Sequence, residues 1–141
     1  MNHQDTKGTK RNDDIETQSF DLVGKDIVDA AFKVHKSLGP GLLESVYEEC
    51  MAHELAANRG LKVERQVELP IRFDGLVLTS RLRLDMLVER SVIVEMKAVE
   101  TMIPLYEAQL ITYLKLTGLR LGYLINFNVA LIKQGIKRMI L

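Results

Sequence analysis

The chain is short of several things that would place a protein in a class. It has one cysteine, Cys50, so no intramolecular disulfide can form, and a lone thiol suits a reducing, cytoplasmic setting. It has no net charge: 19 basic residues balance 19 acidic ones, which leaves no overall electrostatic footprint for nucleic acid or an anionic membrane. No apolar stretch reaches the ~18 residues that a membrane span requires. The opening segment, Met1 to Thr17, is polar and lacks the apolar run of a signal peptide. Internal repeats, low-complexity runs and signs of a second domain are absent as well. Acids are missing from the end of the sequence: none follows Glu107, whereas Lys115, Arg120, Lys133, Lys137 and Arg138 do. Such a stretch either faces a polyanion or forms an ordinary solvated surface.

What remains is the make-up of a globular protein, with 47% apolar and 27% charged residues over 141 positions, enough for one domain around one core. Residues 1–19 are expected to be a disordered polar tail and 20–141 the domain. From Phe20 to Leu38, Ile27, Val28, Ala31, Phe32, Val34, His35 and Leu38 recur at helical spacing, and Gly39-Pro40-Gly41 stops the helix. A second helix is expected from about Leu42 to Asn58, with Arg59-Gly60 as its exit.

The period then changes from helical to alternating. Val63, Val67, Leu69, Ile71 and Phe73 alternate with polar residues, and Asp74-Gly75 signals a two-residue hairpin turn. A return strand from Leu76 to Thr79 and a central pair, Arg81–Glu89 and Ser91–Val99, are expected next. Pro104 opens a third helix that ends near Leu116, before Thr117-Gly118. Leu119 to Phe127 reads as a fully buried strand, and Val129 to Ile140 as one or two strands or a short helix. The order α-α-β-β-β-β-α-β-β predicts an α/β protein with a mixed central sheet flanked by helices.

Three polar residues stand out in this pattern. A half-buried strand alternates faces, so Glu95 and Lys97 point one way while Val94, Met96 and Ala98 point the other. If Glu89-Arg90-Ser91 is the turn, residues equidistant from Arg90 pair, which sets Asp85 opposite Glu95. Facing carboxylates repel, and burying either one unpaired is costly. A divalent cation between them removes that penalty, with Lys97 beside it to hold a water or a phosphate oxygen. The competing reading is a salt-bridge cluster in which Lys97 neutralises Glu95 and Arg83 neutralises Asp85. Two helical pairs interrupt otherwise apolar surfaces: Glu44 and Tyr47 at i, i+3, and Gln109 and Tyr113 at i, i+4. His35 is expected to be a packed, hydrogen-bonded histidine. Cys50 and His53 share helical spacing but lack a third ligand, and Met96 and Met102 read as core.

Together these elements resemble the GxxExxY protein family, a branch of the PD-(D/E)xK nuclease-like superfamily. Gly41, Glu44 and Tyr47 match the naming motif. Asp85 followed by Glu95-Met96-Lys97 matches the split D…ExK signature, and Gln109 with Tyr113 matches the QxxxY element of RecB-like nucleases. A leucine, Leu84, stands where many members have proline before the first acid. The resemblance covers about Phe20 to Leu141 and implies a restriction-endonuclease-like core. It also implies that Asp85 and Glu95 ligate Mg²⁺ or Mn²⁺ with the Met96 carbonyl as a further oxygen. Glu44 would join directly or through water, Lys97 would orient the attacking water, and Gln109 and Tyr113 would position water, lysine or phosphate. The implied activity is nuclease action on DNA or RNA. A non-catalytic nucleic-acid- or protein-binding module on the same fold is the alternative. A homodimer through Leu119–Phe127 and Met139–Leu141 is a third possibility.

Overall fold

A computed structural model describes residues 3–141, with side chains described from Ser19 onward. The expected tail, 1–19, therefore lies outside the described side chains except for Ser19. The elements are α1 (His3–Leu38), α2 (Glu44–His53) continued by a π-helical turn (Glu54–Asn58), β1 (Val63–Phe73), β2 (Leu76–Val88) and β3 (Val92–Lys97). After these come α3 (Pro104–Thr117), β4 (Leu121–Asn126), a 3-10 turn (Ile132–Gly135) and β5 (Ile136–Ile140). No helix among the described residues is long and apolar enough to cross a membrane.

The expected boundaries follow from local chemistry. Gly39 takes a φ of 71°, and its N–H donates to the His35 carbonyl, closing α1. Gly60 and Gly118, also left-handed, close the second and third helices in the same way. Asp74 and Gly75 both have positive φ, as a tight hairpin turn demands. The second helix is not uniform: its last turn, Glu54–Asn58, is π-helical, a change of hydrogen-bond register that leaves the side-chain pattern unchanged.

The sheet has the order β1-β2-β3-β4-β5, with β3 and β4 parallel and the other pairs antiparallel. A parallel pair needs a crossover, and α3 supplies it. On one face, Ile27, Ala31, Tyr47, Met51 and Leu55 from α1, α2 and the π turn pack on Met86, Val94, Met96 and Ile125. On the other, Leu110 and Leu114 of α3 pack on Leu84, Leu87, Ile93 and Leu124. Gly122 lets α3 approach: a Cβ there would stand 2.8 Å from Leu110 Cδ1. The fold is thus α/β, a five-stranded mixed sheet with helices on both faces, consistent with a restriction-endonuclease-like core. The apolar run at Leu121–Phe127 is wholly buried in this core rather than offered to a second copy.

One expectation is corrected. The return strand and the first central strand are a single strand, β2, so one strand fewer precedes α3. The reason is a change of face within it. Leu82 and Leu84 pack toward α3, yet Met86 and Val88, of the same parity, pack toward α1 and α2. β1 changes face at the same level, between Val63 and Val67. At the crossover Gln66 has a φ of 51°, and the pairs Arg65↔Met86 and Val67↔Leu84 bracket Gln66 and Asp85. The alternation of a flat strand is broken there, while the register on either side is kept. The last segment holds a single strand, β5, after one 3-10 turn.

Candidate active site

The change of face makes the site. β2 pairs with β3 only over Met86↔Val94, Leu87↔Ile93 and Val88↔Val92. That register is symmetric about Arg90 and places Asp85 level with Glu95, as the spacing predicts. Glu89 and Arg90 both adopt positive φ in the turn, and the Ser91 N–H donates to the Val88 carbonyl. Beyond Met86 side chains satisfy the open strand edges. Asp85 Oδ2 accepts the Met96 N–H at 3.0 Å, and Glu95 Oε2 accepts the Asp85 N–H at a long 3.4 Å.

Glu95 is 5% exposed, and its Oε1 is buried without a hydrogen-bond partner. Burial, then a hydrogen bond with the Asp85 carboxyl and that group's charge, push its pKa up to about 10. With protein groups alone around it, Glu95 therefore holds a proton at neutral pH. A buried carboxyl with an unpartnered oxygen and a displaceable proton, level with a second carboxyl, supplies hard oxygen donors that fit a divalent cation such as Mg²⁺ or Mn²⁺. The described residues contain no group of three or more His, Cys, Asp or Glu close enough to hold a metal. Two carboxyls are a set that Mg²⁺ accepts while keeping water.

Lys97 follows on the same face. Its Nζ lies 4.5 Å from the centroid of the Tyr106 ring, at the first turn of α3. No carboxylate lies within 4.0 Å of Lys97 or of Arg83 among the described residues, so the salt-bridge cluster does not form. Tyr113, two turns beyond Tyr106, is half-buried, and its pKa is raised by burial and then by the charges of Glu95 and Asp85. Gln109, about one turn from each of these tyrosines, is exposed and makes no hydrogen bond among the described residues.

Glu44 is the first residue of α2, where the positive end of the helix favours an acid. It opens to solvent. Partial burial and then the charge of Asp85 raise its pKa, while Lys97 opposes the rise. Tyr47 belongs to the frame rather than the site: it is fully buried, stacks on Phe127 at 4.6 Å, donates to the Gly39 carbonyl at 2.6 Å and accepts the Leu42 N–H at 3.1 Å. The Met96 side chain is buried toward α1 and α2, leaving its backbone at the site. His35 is buried with Nε2 2.7 Å from the Val129 carbonyl, and Met102 packs against the α3-side core.

Three neighbours escape a reading of spacing. Tyr106 meets Lys97 only because α3 crosses back over the sheet. Asn126, level with Lys97 on β4, uses its amide to bind Val99 N and O and Asn128 N, fixing the chain beyond β3. Glu48 accepts from Gln66 at 2.8 Å and ties α2 to the strand crossover beside Asp85. Asn126 was visible as a lone polar residue in an apolar strand; the other two carry no local signal.

The model of the PD-(D/E)XK nuclease superfamily matches residues 21–139. No curated protein and no solved structure matches the chain. Because the match takes in every element of the sheet and all the residues gathered around Asp85 and Glu95, the chain belongs to the PD-(D/E)XK nuclease superfamily.

Proposed function

We propose that the chain is a metal-dependent nuclease of the GxxExxY kind, hydrolysing phosphodiester bonds of DNA or RNA in a reducing, cytoplasmic compartment. One observation carries the reading: Glu95, buried beside Asp85 with Oε1 unpaired, stands next to a lysine with no carboxylate within 4.0 Å among the described residues. Asp85 and Glu95 hold Mg²⁺ or Mn²⁺, with the Met96 carbonyl as a further oxygen. Bound there, the cation supplies acidification of water and neutralisation of phosphoryl charge. Lys97, held over Tyr106, orients the attacking water and stabilises negative charge on the phosphoryl oxygens. Glu44, with its raised pKa and open position, accepts a proton or holds the site through water. Tyr113 and Gln109 position the phosphate from α3. Gly41, whose φ is 97°, shapes the turn that delivers Glu44.

A second reading has its own support. The neutral charge balance and a donor set of only two carboxylates fit a nucleic-acid- or protein-binding module that keeps the fold without cutting. Labelled single- and double-stranded DNA and RNA, incubated with Mn²⁺, Mg²⁺ or EDTA, separate the two. Cutting by wild type in the metal and none by Lys97→Ala supports the nuclease. No cutting by folded wild type on any of the four substrates rejects it.

A further inference from the structure

A groove of about 660 Å³ runs between the last turns of α1 and the loop that leads into the 3-10 turn. Its apolar surface includes Phe32 and Leu131, 44% and 63% exposed, and its cations are Lys33, Lys36 and Lys133. Phe32 was expected on the buried face of α1, but Ala31 and Val34 fill that face and leave the ring at its margin. No acid lines the groove. Lys33 is engaged by Glu54 at 2.7 Å, whereas neither Lys36 nor Lys133 has a carboxylate within 4.0 Å among the described residues.

The groove is tied to the candidate active site by a short chain of contacts. The Lys97 carbonyl accepts the Phe127 N–H at 2.9 Å, and Phe127 stacks on Tyr47, three residues after Glu44. Two residues beyond Phe127, the Val129 carbonyl meets His35, in the helical turn that also carries Phe32 and Lys36. The groove therefore lies past the ends of β3 and β4, along the loop that follows β4.

We infer that this groove holds a single-stranded stretch of polynucleotide, with a base against Phe32 and Leu131 and phosphates against Lys36 and Lys133. An open aromatic ring between unpaired cations matches a ligand that alternates flat apolar bases with negative charges. A duplex keeps its bases stacked inside and cannot use the ring. The inference rests on the nuclease reading for its substrate class, but its test does not require cutting.

Binding of fluorescein-labelled oligo-dT and of a mixed-sequence duplex is followed by anisotropy in EDTA, with heparin as a base-free polyanion competitor. Wild type binds the single strand more tightly than the duplex. Phe32→Ala weakens single-strand binding on the order of tenfold and leaves duplex binding unchanged. Lys36→Ala/Lys133→Ala lowers the salt dependence of single-strand binding by about 1.4 in log–log slope, for two lost phosphate contacts. Both variants are first shown to be folded by circular dichroism, and Lys36→Arg/Lys133→Arg restores the slope. Absence of wild-type binding, equal binding of duplex and single strand, or unchanged affinity in both variants overturns the inference. Cutting by wild type with groove variants of unchanged affinity removes the groove but leaves the nuclease standing. Weakened binding by the variants without any cutting by wild type does the reverse.

Discussion

Two buried glutamates in this molecule have opposite environments. Glu54, 4% exposed in the π turn, accepts from Lys33 and Asn58 at Oε1 and from Arg59 at Oε2, and these partners lower its pKa to about 2. Arg59 also donates to Asp26 of α1 at 3.0 Å, so this network ties the second helix to the first. Glu95, equally buried, has another carboxyl as neighbour, an oxygen with no partner and a pKa pushed up to about 10. Burial is common to both. What separates them is whether the surroundings satisfy the charge. A satisfied acid contributes to stability and has no capacity left for a ligand; an unsatisfied one is a liability that a cation relieves.

The contrast can be broken at several points, beginning with the largest effect. Lys97→Ala should remove cleavage by a factor on the order of 10³, as loss of a group that stabilises transition-state charge does. Asn58→Ala, in the Glu54 network, should leave the cleavage rate unchanged in the same assay. Conversely, Glu54→Ala should lower unfolding free energy by about 2 kcal/mol in urea, because Lys33, Asn58 and Arg59 lose a charged acceptor, with cleavage intact once folded.

The pH dependence should also differ in sign. Glu54 has a lowered pKa, so its stabilisation is present above the ordinary carboxylate value of 4.5 and is lost as pH falls from there toward about 2. Glu95 has a raised pKa, so its protonated form favours the metal-free fold below 4.5, and that advantage is lost as pH rises from there toward about 10. Urea unfolding in EDTA should show the Glu95 contribution as stability declining by on the order of 1 kcal/mol per pH unit in that window. Glu95→Gln should flatten the decline; an unchanged slope would mean that another group carries it. The smallest effect is expected at Tyr106→Leu, where loss of the ring beneath Lys97 should reduce kcat/KM several-fold, matching about 1 kcal/mol for such a contact.

These residues also show where local pattern carries information and where it does not. Asp85 opposite Glu95 was legible because a hairpin register is set by its turn, and turn chemistry is local. Asp74-Gly75, Gly60 and Gly118 were legible for the same reason. The single long β2 was not, because its side chains change face at Asp85, which erases the alternation by which strands are recognised. The π turn was hidden because a shift of backbone register leaves the apolar spacing of Tyr47, Met51 and Leu55 intact. Tyr106 and Glu48 acquire their contacts across the sheet, from α3 and α2, and nothing in their own neighbourhood announces it. Tyr47 was legible as exceptional but not in its role: the spacing put it at a site, and the fold uses it to brace the turn at Gly39.

The measurement closest to the centre of the account compares wild type and Glu95→Gln by thermal unfolding, in EDTA and in Mn²⁺. Removing an unsatisfied carboxyl should make the variant at least as stable as wild type without metal. Mn²⁺ should then raise the Tm of wild type alone, since only a fold that binds the cation gains from it. If Glu95→Gln is instead destabilised in EDTA, and Mn²⁺ shifts both proteins equally, Glu95 is a structural acid like Glu54 and the metal centre is not at Asp85 and Glu95.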